Sequence, residues 1–206
     1  MYWRLATDAA SEPITAAQAK THCVIDTDDD DTYIAILIKA ARQQVEDDSD
    51  RAILNQTWKI YCDDFPASSS EPLYMPRSPL VSVTSIKYTD TNGDQQTWDS
   101  DEYDVDIYTE PARIIPAYGY TWPSSRGDAS NVIIESVHGY GAAIGDATLL
   151  PSNALMAMYM LIAHWYERRE AVTESSQRGG LTTLPLGYEG FIDKLKVGWH
   201  FDTDDK

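Results

Sequence analysis

The densest set of metal-capable groups in the chain is the run Asp26-Thr27-Asp28-Asp29-Asp30-Asp31. Asp26, Asp28 and Asp30 fall at positions one, three and five of a calcium-binding loop, but such a loop needs Gly at position six and a bidentate Glu at position twelve. Those positions hold Asp31 and Leu37, so the run reads as the solvated start of a helix, where the macrodipole favours anions. His164 and Glu167 stand three apart, a spacing that puts two ligands on one helix face, with Glu170 a turn further on. The other histidines, His22, His138 and His200, lie in different segments and complete no ligand set, so His164 reads as a packing or interface residue. Cys23 and Cys62 offer neither a four-ligand zinc site nor a disulfide framework and read as reduced filler side chains.

Phosphate and acyl chemistry fare no better. Gly139, Gly141 and Gly145 follow the spacing Gly-x-Gly-x-x-x-Gly, no Gly-Lys-Ser/Thr occurs, and no Gly-x-Ser-x-Gly elbow is present, so the glycines read as turn residues. The sequence therefore sets out no catalytic residue, no cofactor site and no metal site. Trp98, Tyr103, Tyr108, Tyr118, Tyr120 and Trp122 could line a sugar platform or a protein interface; aromatics are also the ordinary filling of a small sheet, which is the reading preferred, with any remainder assigned to subunit contacts.

Composition narrows the classes. A hydrophobic fraction of 43% with 6 Trp and 13 Tyr belongs to a folded chain, and 206 residues suffice for a sizeable core. Sixteen Lys and Arg against 33 Asp and Glu leave a net charge of -17, which excludes a broad basic face for gripping nucleic acid phosphates. No apolar stretch nears the roughly 20 residues that cross a bilayer, so no membrane role is expected, and the N-terminus lacks the apolar heart of a secretion signal; the chain reads as made and kept in the cytoplasm.

The elements that must position these residues follow from periodicity. Thr15 with Gln18 three residues on forms a capping box for a short helix ending near His22, and Ile34, Leu37, Ile38, Ala41 and Val45 recur at helical spacing up to about Arg51. From Asn55 the period becomes two: Trp58, Ile60 and Cys62 alternate with polar residues, and 81–88 alternates into Asn92-Gly93, the strongest short hairpin signal. Further strands are expected at 103–107, 112–116 and 131–137. Leu155, Met158, Tyr159, Ile162, Trp165 and Tyr166 then form the broad apolar face of a long helix reaching about Ala171, with a loose segment at 173–183 and a short amphipathic helix at 186–197. The expected fold is α+β: a helical bundle built from an N-terminal part (1–54) and a C-terminal part with a mobile tail (142–206), carrying a central β-rich insertion (55–141).

Several stretches, taken in order, resemble the phage head-to-tail connector family, also called head completion or adaptor proteins and found in tailed phages, prophages and gene transfer agents. They are Ile14-Thr15 to Ala19-Lys20, Ala40-Ala41-Arg42 with Val45-Glu46, Arg51-Ala52-Ile53-Leu54-Asn55-Gln56-Thr57-Trp58, Met75-Pro76-Arg77-Ser78-Pro79-Leu80, and Val83-Thr84-Ser85-Ile86. Pro111-Ala112-Arg113-Ile114, Trp122-Pro123, Gly139-Tyr140-Gly141 and the run from Ala163 to Ala171 complete them. The resemblance implies a structural subunit of the virion neck that forms a twelvefold ring beneath the portal protein. Such a ring extends the DNA channel, passes DNA without specific binding, and offers its lower face to a tail-completion or neck protein. Under it, the candidate interface residues are His164, Trp165, Arg168 and Arg169 at the end of the long helix, and Leu186, Tyr188, Phe191 and Lys194 beyond it. The alternative is a carbohydrate- or protein-binding module with a β-sandwich-like domain.

Overall fold

Helix α1, Ala16–Cys23, begins where Thr15 Oγ1 accepts the Gln18 amide at 3.1 Å while Gln18 Oε1 accepts the Thr15 amide at 2.9 Å. Two of the donors that a helix start leaves unpaired are thereby satisfied reciprocally. The computed structural model describes residues 1–141, 150–169, 185 and 187–197. Helix α2, Asp31–Ser49, buries Ile34, Leu37, Ile38, Ala41 and Val45 along one stripe. Helix α3, Ser152–Glu167, buries Ala154, Ala157, Met158, Leu161 and Ile162, and the short α4, Tyr188–Ile192, adds Tyr188 and Ile192. These faces meet, with Ile14, Ile53 and Leu54, in one helical core.

The strands are β1 (Tyr2–Thr7), β2 (Gln56–Cys62), β3 (Leu73–Tyr74), β4 (Leu80–Thr89), β5 (Gln95–Trp98), β6 (Tyr103–Asp106), β7 (Arg113–Pro116) and β8 (Val132–His138). They build an antiparallel five-stranded sheet in the order β1-β2-β8-β4-β5 and a three-stranded sheet in the order β3-β7-β6. The β4–β5 hairpin closes at Gly93, whose φ of +96° suits a residue without a Cβ, and the Asp90 carboxylate accepts the amides of Asn92 and Asp94 at 2.9 and 3.0 Å. Ile60, Ile86 and Ile134 from the larger sheet and Leu73, Tyr103 and Ile114 from the smaller share a second core. Complete burial of each of those four isoleucines contributes roughly 1.5–3 kcal/mol.

This is not a helical bundle with a central insertion. Among the described residues, four α-helices stand beside eight strands in two antiparallel sheets, and the sheets enclose a hydrophobic core as real as the helical one. The physical reason lies at the N-terminus, where β1 pairs with β2 from Tyr2↔Tyr61 to Thr7↔Thr57 and packs Trp3 on the β core. The sheet thus recruits chain from outside the span of alternating sequence. The loose segment expected at 173–183 and the terminal tail lie outside the described residues.

Candidate assembly surfaces and the seam that fixes them

The two cores are joined by buried charge. Arg42 on α2 is 1% exposed, and its guanidinium donates from Nε to Glu12 Oε2 at 2.7 Å, from Nη1 to Glu46 Oε2 at 2.9 Å and from Nη2 to Asp8 Oδ2 at 3.2 Å. Burial opposes the charge on Arg42, yet Glu12, Glu46 and Asp8 together raise its pKa. The other oxygen of Glu46 accepts the Ile53 amide at 3.0 Å and Gln56 Nε2 at 2.7 Å, which ties α2 to the start of β2.

Two further arginines, largely buried themselves, pair with exposed carboxylates. Arg77 donates to the Glu46 carbonyl at 2.5 Å and to Asp47 Oδ1 at 2.7 Å, with its guanidinium 5.1 Å from the Trp58 ring centroid. Arg51 forms a bidentate pair with Glu110 at 2.9 and 2.6 Å, donates to the Tyr140 hydroxyl at 2.7 Å, and holds the Leu195 carbonyl through Nε. That pairing holds the Glu110 carboxyl below the usual carboxylate range. His138, wholly buried on β8, lies with Nδ1 2.6 Å from the Arg77 carbonyl, so Nδ1 carries the proton and Nε2 accepts from the Ser136 hydroxyl at 2.8 Å. Burial pushes this imidazole down to about 4.

The sequence-derived candidates fall into two groups. At the end of α3, His164 and Trp165 are half-buried, the Trp165 carbonyl accepts the Tyr33 hydroxyl at 3.4 Å, and Arg168 is exposed. Arg169 donates to Asp30 Oδ2 at 2.5 Å beside the Tyr166 hydroxyl at 2.8 Å, and its guanidinium lies 4.8 Å and 4.9 Å from the centroids of Tyr33 and Tyr166. The Arg169 and Tyr166 hydrogen bonds hold the Asp30 carboxyl below its ordinary value. In the second group Tyr188 is 1% exposed and donates to Asp48 Oδ2 at 2.6 Å, which with burial pushes its phenol well up. Phe191 packs at the margin of the helical core, Lys194 is exposed, and Leu186 lies outside the described residues. Asp30 and Asp48 mark opposite ends of α2, so the two groups stand roughly 27 Å apart at 1.5 Å rise per residue.

Several of the residues singled out for chemistry are engaged structurally. Lys20 pairs with Asp28 and, at 2.8 Å, with Asp31, and no group of three or more His, Cys, Asp or Glu placed to hold a metal occurs among the described residues. Burial lifts the Cys62 thiol to about 11, which removes it as a nucleophile. Trp98, Tyr103 and Trp122 are core residues, with Trp98 and Trp122 against Phe65 and Tyr103 against Trp98, whereas Tyr108, Tyr118 and Tyr120 are exposed. The seam itself was missed as a unit. Its only signal in the sequence is that Arg42, Arg51 and Arg77 are charges embedded in the stretches that carry the family resemblance.

Across the described residues, Arg42, Arg51 and Arg77 tie the helices to the sheets. The model of the phage gp6-like head-tail connector protein family matches residues 13–115, half of the chain, and the protein belongs to that family. Among solved structures, a chain in the neck of an empty gene transfer agent particle, computed with C6 symmetry, superposes with a TM-score of 0.76 at 18% identity over 98% of each chain. The virion of a native gene transfer agent particle contains a chain that matches equally well, and the neck of a native particle computed with C12 symmetry matches at 0.73 and 17% identity, again over 98% of both. No curated protein matches the chain.

Proposed function

We propose that this protein is a ring subunit of the virion neck, seated between the portal protein and a tail-completion or neck protein, where it extends the channel through which DNA passes. The observation that carries the reading is likeness along the whole chain, over 98% of both partners, to chains in gene transfer agent necks and virions, joined to membership of the connector family. The neck reconstructions use sixfold and twelvefold symmetry. We carry the twelvefold arrangement to this chain. Its net charge of -17 suits a conduit that repels phosphate and lets DNA slide. The work of such a protein is mechanical, and it needs no reacting group.

Within this reading the exposed cations Arg168 and Lys194 contact the portal or the neighbouring subunit, while Tyr188 and Phe191 fix α4 in place. Mixing the purified protein with DNA-filled heads that carry portal but no tail tests the proposal. The protein is expected to co-sediment with those heads, and Arg168→Glu with Lys194→Glu is expected to weaken that by about tenfold without lowering the melting temperature. Failure of the wild-type protein to bind portal-bearing heads would overturn the reading.

A further inference from the structure

The five-stranded sheet has one face turned to the β core, through Trp3, Ile60, Ile134, Ile86 and Trp98. The residues between them point the other way. One row across that outer face runs Tyr2, Tyr61, Ile133 and Lys87, and the next runs Arg4, Lys59, Glu135 and Ser85. Tyr2 and Tyr61 stack with centroids 4.9 Å apart, and neither Tyr61 nor Ile133 belongs to either hydrophobic core. The charge is equally out of keeping with the rest of the molecule: this face carries three cations and one carboxylate, in a chain with 16 basic and 33 acidic residues. Lys59 lies 3.4 Å from Glu135, and Arg4 and Lys87 have no ion-pair partner among the described residues. An apolar row flanked by cations is a face made to be covered, and what covers it should be apolar and acidic.

The same chain presents such a surface at the corner between α1 and α2. Asp26, Asp28, Asp29 and Asp31 are exposed there; Lys20 takes up Asp28 and Asp31, and Arg169 takes up Asp30, which leaves Asp26 and Asp29 without a cation among the described residues. Val24 is 84% exposed and Ile36 on α2 is 60% exposed. Val24 also ends α1 with φ of +57°, a conformation that β-branched residues rarely adopt and that Gly ordinarily fills. The corner therefore keeps an exposed apolar side chain at a position where its own backbone favours none.

We propose that the outer face of the five-stranded sheet docks on the α1–α2 corner of a second copy of this chain. The two patches lie on different elements, so the contact is heterologous, head to tail, and repeats around a closed ring. This rests on the ring reading given above and assigns the surfaces that make the ring.

A charge swap tests it. Lys59→Glu with Lys87→Glu makes both patches acidic, and Asp26→Lys with Asp29→Lys makes both basic. Each variant should then repel itself, while alternating copies of the two restore every contact. With circular dichroism melts verifying that both fold, ring occupancy at the portal vertices of tailless heads is counted by electron microscopy. Each variant alone is expected to fall about tenfold below wild type, and the equimolar mixture to recover to within roughly twofold. Wild-type occupancy by either variant alone would overturn the proposal, as would a mixture of folded variants that fails to recover. Loss of duplex DNA binding by the Lys59→Glu, Lys87→Glu variant, with ring occupancy intact, would assign the sheet face to DNA instead. Absence of wild-type rings would fell the ring reading itself, and this contact with it.

Discussion

Arg42 decides the largest single-residue effect. Its buried guanidinium pairs with three carboxylates, so Arg42→Ala leaves Glu12 and the buried Glu46 without their cation, while Asp8 keeps Lys39 at 3.2 Å. The expected loss is about 3–5 kcal/mol, read as a lowered midpoint in urea unfolding. A loss below about 1 kcal/mol would mean that the seam relaxes around the vacancy. His138 sets a pH dependence. Unfolded, its imidazole takes a proton near 6.5; folded, burial delays this to about 4, so between those values the unfolded chain binds more protons. Its contribution is complete above about pH 6.5 and is lost as pH falls toward 4, by roughly 3 kcal/mol in all. His138→Asn, whose amide can still donate to the Arg77 carbonyl, should flatten the slope of stability against pH in that window by close to one proton. An unchanged slope would contradict the buried neutral imidazole.

Among the elements, the turn after β8 is the least tolerant. Gly139 has φ of +143°, and a Cβ there would stand 2.4 Å from the Leu54 carbonyl carbon and 2.5 Å from the Asn55 nitrogen, both backbone atoms that cannot swing aside. Gly139→Ala is therefore expected to cost about 3 kcal/mol or more, measured as a fall in melting temperature, because it wedges open the crossing of the two cores. A melting temperature within a degree or two of wild type would refute that close approach. Much at this scale was legible in the sequence. The Thr15 and Gln18 box, the Ile34 to Val45 stripe and the Asn92-Gly93 hairpin are local signals, each complete within a few residues. Strand β1 was not legible, since six residues at a sheet edge carry too short a pattern to declare a period, and their partners lie fifty or more residues away. The seam was hidden for a related reason: Arg42, Arg51 and Arg77 look like ordinary surface charges until the fold brings Asp8 and Glu12, Glu110, and Asp47 to them. The candidate interface residues could be read only as a helix end and a following segment, and their separation to opposite ends of α2 follows from packing.

For the whole molecule, the helical core and the β core are tied together through Arg42, Arg51 and Arg77. Its surface charge is segregated: acid dominates the molecule, and one sheet face carries the opposite sign. Composition alone gives the net charge and says nothing of where it lies, so the acidic excess was readable from the sequence and the cationic sheet face was not. The most direct test is cryo-electron microscopy of intact particles that contain this protein, reconstructed at the vertex where the tail joins. The account predicts a ring of twelve copies between portal and tail, each fitted by the fold described, with DNA or its channel running through the centre. Complete, tailed particles with no density for the protein at that vertex would contradict it.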